Sequence, residues 1–214
     1  DCLCFASFIH NNNICIYAMR EKILFFDFDG TITTKDTLLE FILYSCGKVK
    51  FLLGFLLYSP LLILMKFGLY PNWKAKQHVF SYFFRGMKID DFDSVCRRFA
   101  VDCRYLLRPE AVKDMETAMT EGIKVYVVSA SIDNWVQPFF EFAKVLGTQI
   151  EVINGILTGR FMTPNCYGPE KVRRIKEVLT EPRSHYYIIA YGDSRGDKEM
   201  LDYADEEYFR PFRH

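Results

Sequence analysis

Four short segments hold the side chains of this chain that can do chemistry. Asp27-Phe28-Asp29-Gly30-Thr31 sets two carboxylates two residues apart, directly after the apolar run Ile23-Leu24-Phe25-Phe26. Ser129 closes a second apolar run within Val127-Val128-Ser129-Ala130-Ser131, and Lys171 follows Asn165-Cys166-Tyr167-Gly168-Pro169-Glu170. Gly192-Asp193-Ser194-Arg195-Gly196-Asp197 is a glycine-flanked carboxylate pair after a third run. A D-x-D pair at a strand end builds a nucleophile and a proton donor into one turn. Asp193 with Asp27 offers the carboxylate oxygens that a hard cation such as Mg²⁺ takes together with water and substrate phosphate. Asp197 is placed to orient a bound water or Lys171 from behind. A hydroxyl and free backbone N–H groups around Ser129 make an anion site. A lysine in the first turn of a helix opposes the helix dipole unless an anion sits nearby, and such local conflicts tend to fall at functional sites. Taken singly, each segment also has an ordinary reading, as an Asp/Gly turn, a Ser N-cap or a polar loop.

The elements that must position these residues follow from periodicity. Ile23–Asp27, Ile123–Ser129 and Tyr186–Tyr191 are β-branched or aromatic runs that end at small or polar residues, the pattern of buried strands. Helical patterns at Glu110–Glu121 and Pro169–Leu179 precede the second and third runs, and a helix is expected to start near Asp133. Strands alternating with helices predict a parallel sheet, and such sheets place ligands outside the carboxyl ends of their strands. Gln149–Ile153, the Asn154-Gly155 turn and Leu157–Phe161 read as a strand running into a hairpin, and Tyr208-Phe209 as a final edge strand. Lys171 is expected to open the helix after Gly168-Pro169, with Arg173 and Arg174 as solvated charges.

Residues 37–107 break the alternation, with long helical patterns and no evident strand, and are expected to form an inserted helical cap. Its centre, Phe51–Met65, is an uncharged run of fifteen residues with Pro60 inside it, short of the roughly 20 needed to span a bilayer. Either two packed cap helices meet near Ser59-Pro60, or the segment dips into lipid headgroups. Lys48, Lys50, Lys66 and Lys74 flank it and are suited to anionic lipid or simply to water. The expected organisation is an N-terminal appendage (1–22), a catalytic core (23–36 and 108–214) and the cap (37–107). Residues 1–18 fit no clear element and lack the marks of a secretory signal, and Met19 makes a natural start.

The chain of 214 residues is long enough for a sizeable core. It is half hydrophobic, and Lys+Arg and Asp+Glu both number 27, which argues against nucleic-acid binding. Its seven cysteines (Cys2, Cys4, Cys15, Cys46, Cys96, Cys103 and Cys166) show no C-x-x-C spacing and are expected to be reduced thiols of a cytoplasmic protein. His10, His78, His185 and His214 have no assignable role.

Taken together, D-x-D-G-T, a strand-end Ser, a Lys and G-D-x-x-x-D resemble the haloacid dehalogenase superfamily of phosphohydrolases, over Ile23 to about Phe209. The position of the insert is similar to the C1-type helical cap of the phosphoserine phosphatase branch, subfamily IB. The run Asn165–Arg173 is similar to a subgroup often described only as hydrolases, and the apolar cap has some likeness to lipid phosphatases of the phosphatidylglycerophosphatase C type. The resemblance implies an α/β fold with a Rossmann-like core, a parallel sheet flanked by helices and an all-helical cap. It implies in-line attack by Asp27 on a phosphomonoester, with Asp29 as proton shuttle. Mg²⁺ would be held by Asp27, Asp193 and the backbone carbonyl of Asp29, with Asp197 behind them, and phosphate by Gly30, Thr31, Ser129, Ala130 and Lys171. Displacing a halide needs neither a second aspartate nor the full metal site, so a phosphatase is expected.

The expected substrate is a small phosphorylated metabolite or a phospholipid head group. Phosphoserine fits less well. Asp36 stands where phosphoserine phosphatases carry a longer carboxylate, Gly196 where they commonly have Asn, and no cap arginine is clearly placed, Arg85, Arg97 and Arg98 being candidates. A phosphotransferase of the same fold, or a membrane-surface binding protein with a vestigial core, are the alternatives. Peripheral contact with an anionic membrane at its inner face is a further expectation, and the oligomeric state is left open.

Overall fold

The computed structural model describes residues 20–213. Residues 1–18, with Cys2, Cys4, Cys15 and His10, lie outside the described residues, as do Met19 and His214. The centre of the structure is β1 (Glu21–Phe26), flanked on one side by β2 (Lys124–Ile132) and on the other by β6 (Tyr186–Gly192). All pairings in the sheet are parallel, in the order β3-β2-β1-β6-β7, with β3 at Lys144–Thr148 and β7 at Glu206–Phe209. A hairpin of β4 (Ile150–Ile153) and β5 (Ile156–Phe161) stands apart from it. Strand β1 is apolar throughout its inner length because both its faces are covered. Its alternation sends Leu24 and Phe26 into one hydrophobic cluster and Ile23 and Phe25 into another.

The expected strands and edge strand are present, and the α/β architecture with its helical insert is the observed one. Strand β3 has no counterpart in the expected elements. It is five residues long and holds Gly147, where a Cβ would meet the backbone nitrogen of Asp133 at 2.9 Å, so close packing replaced the bulky side chain that would have signalled a strand. Strand β2 also runs three residues past Ser129, to Ile132.

The insert between β1 and β2 contains α1 (Thr37–Lys66), α2 (Asn72–Phe84) and α3 (Ile89–Asp102), followed by α4 (Pro109–Thr120). The remaining helices are α5 (Asp133–Val136), α6 (Pro169–Val178) and α7 (Lys198–Tyr203). Aromatic rings tie the insert to the segment that follows β2. Phe41 stacks on Trp135 at 4.9 Å and meets Phe99 edge-on at 5.2 Å. Phe99 in turn meets Phe139 edge-on at 5.7 Å.

Helix α1 does not break at Pro60. It breaks at Gly47 (φ 76°, ψ 164°), a conformation open to glycine and costly for other residues. Proline cannot donate to the carbonyl four residues back, that of Leu56, but the Ser59 hydroxyl donates to it instead at 2.8 Å. The helix therefore continues through Ser59-Pro60. The expected junction of two helices there is corrected.

Asp205 fastens β6 to its flank. Its carboxylate accepts from the Ile188 N–H at 2.8 Å, from Arg20 at 2.8 Å and from Arg183 at 2.7 Å. Burial raises its pKa, but these three donors outweigh burial and leave the carboxyl below its ordinary value. A depressed carboxyl stabilises the fold above its unfolded pKa, and that contribution is lost as pH falls through the folded value. Asp205→Asn should therefore cost about 1–3 kcal/mol at neutral pH. The gap to wild type should narrow as pH falls below about 4, as read by urea denaturation across that range.

Candidate active site

Strand β1 ends by handing its last rung to Asp27, whose N–H donates to the Tyr191 carbonyl at 2.8 Å. The backbone of Asp27 is thus fixed to β6, and its side chain sits at the carboxyl edge of the sheet. One carboxylate oxygen of Asp27 accepts from Lys171 Nζ at 2.5 Å and the other from the Thr31 hydroxyl at 3.1 Å. Gly30 (φ +84°) turns the chain, and a Cβ there would lie 2.6 Å from Asp193 Oδ2, so only glycine lets the two loops approach.

Lys171 is 1% exposed and all three of its protons find acceptors: Asp27, Asp197 at 2.7 Å and the Val128 carbonyl at 2.7 Å. Burial works against the ammonium, but Asp27 and Asp197 outweigh it and hold the pKa above the usual lysine range. Asp197 gives its second oxygen to the N–H groups of Asp193 and Ser194 and to the Ser194 hydroxyl, at 3.1, 2.9 and 2.8 Å. With both oxygens occupied, Asp197 braces Lys171 and the Asp193 loop. Burial pushes the Asp27 carboxyl upward, and Lys171 pulls it back toward the ionised form. Burial and Asp197 also raise Asp193, which Arg213 pairs with and lowers.

Asp29 lies on the cap side. Oδ1 accepts from the N–H and hydroxyl of Thr37, at 2.7 and 2.6 Å, and Oδ2 from the Ser131 hydroxyl at 2.6 Å. The first residue of α1 thus holds this carboxylate from one side and β2 from the other. Ser129 is fully buried, donates weakly to Asp29 at 3.4 Å and accepts from the Ser131 N–H at 2.9 Å. The ladder between β2 and β3 shifts register between Val128 and Ile132, which loosens this stretch within the strand.

Asp27, Asp29, Gly30, Ala130, Lys171, Asp193 and Asp197 share one cavity of about 560 Å³. Thr31 and Ser129 are buried and are not among its lining residues. Ligand oxygens of Asp27, Asp193 and Asp197 lie within 4.8 Å of one another. Asp197 is committed to Lys171 and the Asp193 loop, so Asp27 and Asp193 are the carboxylates of this group that suit a hard dication. The opposite wall is mostly apolar, with Leu38, Phe55, Leu62, Met65 and Val79 from α1 and α2, interrupted by Asn72 and Lys76.

Several residues of the site were not anticipated. Lys76 reaches from α2 to donate to the Ala130 carbonyl at 3.1 Å, and Arg213 joins Asp193 from the far end of the chain. For Lys76 a signal existed, since Asn72, Lys76 and Val79 share one helical face. Arg213 had none. Arg85, Arg97 and Arg98 are absent from the cavity lining, whereas Asp36 is present but spends one oxygen capping α1 at Leu38, 2.9 Å away. Gly196 packs under the Tyr167 ring, where a Cβ would come within 2.4 Å of it. Arg173 is a solvated charge, as expected, but Arg174 is buried against Glu170 at 2.9 Å. It shares the inward face of α6 with Lys171 and Ile175, a phase that charge alone conceals. Cys46, Cys96, Cys103 and Cys166 are free thiols, and His78 and His185 are exposed and away from this cavity.

Residues 24–202 match the model of the haloacid dehalogenase-like hydrolases. The chain is 34% identical over 193 residues to Protein CicA of Caulobacter vibrioides, covering 88% of this chain and 85% of that protein. Among solved structures, it superposes on a protein of unknown function from Bordetella pertussis Tohama I with a TM-score of 0.77, at 17% identity and coverage of 88% and 89%. It also superposes on phosphoserine phosphatase from T. onnurineus with a TM-score of 0.57, at 20% identity and coverage of 89% and 84%. At these identities the structural likeness speaks for the fold.

Removing the buried cation should leave Asp27 and Asp197 facing each other uncompensated. Lys171→Met is expected to cost about 3–5 kcal/mol in denaturant unfolding. Adding Asp27→Asn should recover part of that loss, giving a coupling energy of about 1–3 kcal/mol in a double-mutant cycle.

Proposed function

The chain belongs to the haloacid dehalogenase-like hydrolase family, and from that premise we propose that it is a Mg²⁺-dependent phosphomonoesterase working through an aspartyl-phosphate on Asp27. The observation that carries this reading is the Asp27 carboxylate at the cavity floor, oriented by Lys171 and Thr31 with Asp193 opposite. Asp27, Asp193 and the carbonyl of Asp29 would hold Mg²⁺, which supplies charge neutralisation for the phosphoryl oxygens when bound.

An Asp27 oxygen attacks phosphorus, a new P–O bond forms, and the bond to the ester oxygen breaks. Asp29 gives its proton to the departing alkoxide. A water then attacks the aspartyl-phosphate, Asp29 takes back a proton from it, and inorganic phosphate leaves with Asp27 restored as carboxylate. Lys171 keeps the nucleophile aimed and offsets charge that a dianionic ester brings to a carboxylate, an effect enlarged by burial. Asp29 is held for its task by Thr37 and Ser131, so its position depends on the cap as well as the core.

The apolar wall over this polar floor supports a phosphomonoester carrying apolar groups, such as a phosphorylated metabolite of that kind or a phospholipid head group. Phosphoserine is disfavoured, because Asp36 already caps α1 and none of the cap arginines reaches the cavity.

The test is a hydrolysis screen over phosphoserine, phosphocholine, sugar phosphates, nucleotides and phospholipid phosphomonoesters, with Mg²⁺ and with EDTA. Turnover should require Mg²⁺ and vanish in Asp27→Asn. Asp29→Asn should lower kcat by about 10²–10⁴-fold and leave phosphate trapped on Asp27, visible by mass spectrometry. Full activity in Asp27→Asn, or in EDTA, would overturn the reading.

A further inference from the structure

Helix α1 after Gly47 has two unlike sides. One packs on α2, with Phe55 and Phe83 rings 6.3 Å apart and Tyr58 edge-on to Tyr82 at 5.6 Å, and sends Phe55, Leu62 and Met65 into the cavity wall. The other is apolar and open: Leu52 is 66% exposed, Leu56 73% and Leu57 62%. The turn that follows continues the exposed surface with Phe67 at 75% and Leu69 at 74%. By length and composition α1 could cross a membrane, yet only 6% of its most apolar 18-residue stretch is buried. A soluble core helix would hide this surface.

Charge says what covers it. Between Glu40 and Asp90 there is no acidic residue, while Lys48, Lys50, Lys66, Lys74, Lys76, Arg85 and Lys88 all fall there. The other 20 of the 27 basic residues share the remainder of the chain with all 27 acidic ones. The overall neutrality therefore hides a strongly cationic cap on an anionic core. An apolar helix face with the exposed Lys48 and Lys66 at its two ends, in a segment free of acidic residues, complements a bilayer bearing anionic headgroups: the leucines enter the acyl boundary and the ammonium groups stay at the phosphates.

We propose that the outer face of α1, from Lys48 to Leu69, docks on the surface of an anionic lipid bilayer. It lies in the interface rather than across it, because the inner side of the same helix walls the cavity and packs on α2. A helix used on one side by its own protein has one side left for lipid. Docking would bring the cavity to the membrane surface, since α1 contributes to both. The inference stands apart from the hydrolytic reading, because lipid binding is measured without turnover.

The test is flotation of the full chain with vesicles of phosphatidylcholine alone and of phosphatidylcholine mixed with phosphatidylglycerol. The protein should float with the mixed vesicles, and high salt should release most of it. Leu52→Glu with Leu56→Glu should lower the partition coefficient by about tenfold or more, and Lys48→Gln with Lys66→Gln by about fivefold per lysine. All four side chains are exposed and none lines the cavity, so the urea-unfolding midpoint should stay close to that of wild type and shows that the variants are folded. Equal flotation of wild type and the glutamate variant would overturn the proposal. So would binding that resists both salt and alkaline carbonate, which marks a spanning helix. A protein that ignores vesicles and instead forms a dimer broken by the glutamates, seen in sedimentation velocity, would also overturn it, as the face would then belong to a second copy.

Discussion

The buried Lys171 ammonium is the interaction on which the rest of the site depends. Its three protons reach Asp27 after β1, the Val128 carbonyl in β2 and Asp197 in the loop after β6. These are the central three strands of the sheet, so one cation fixes the relative positions of three chain segments far apart in sequence. A full set of acceptors is what makes a charge at 1% exposure tolerable. Asp197 can serve because its other oxygen is held by the turn it closes. Local capping, long-range electrostatics and the geometry of the nucleophile are therefore one arrangement.

How much of this was legible in the sequence depended on whether a residue's neighbours in the chain also set its place in space. Asp27, Asp193 and Lys171 each follow or open an element with a strong periodic signature, and they converge because parallel strands bring their carboxyl ends to one edge. Lys76 sits on a helical face shared with Asn72 and Val79, a signal that shows a face but not what it meets, and Arg213 arrives from beyond β7 with no local pattern to announce it. Arg174 shows the limit of reading charge without phase: three residues beyond Lys171 it shares that lysine's buried face. Pro60 is the converse. Its signal for a break was strong, and a single hydroxyl on the preceding residue, Ser59, cancelled it.

The insert serves two purposes that composition alone keeps mixed. Its aromatic inner face belongs to the same hydrophobic cluster as Leu24 and Phe26 of β1, so it is part of the core rather than an ornament. Its outer face carries the exposed leucines, with Lys48 and Lys66 exposed at the two ends of the stretch. A helix with such opposed sides is specified by two environments at once, which explains why a run of fifteen uncharged residues could not be assigned to one of them from periodicity.

The break at Gly47 acquires a mechanical meaning from what lies on either side of it. Thr37, at the start of α1, grips Asp29 with two hydrogen bonds, while the stretch after Gly47 carries the outward leucines. In a straight, unbroken helix any tilt of the outer stretch would act as a lever on the Asp29 carboxylate. With a glycine joint in between, the direction of the outer stretch is set apart from that of the proton-handling end, so an outward apolar face and a firmly held carboxylate can share one helix.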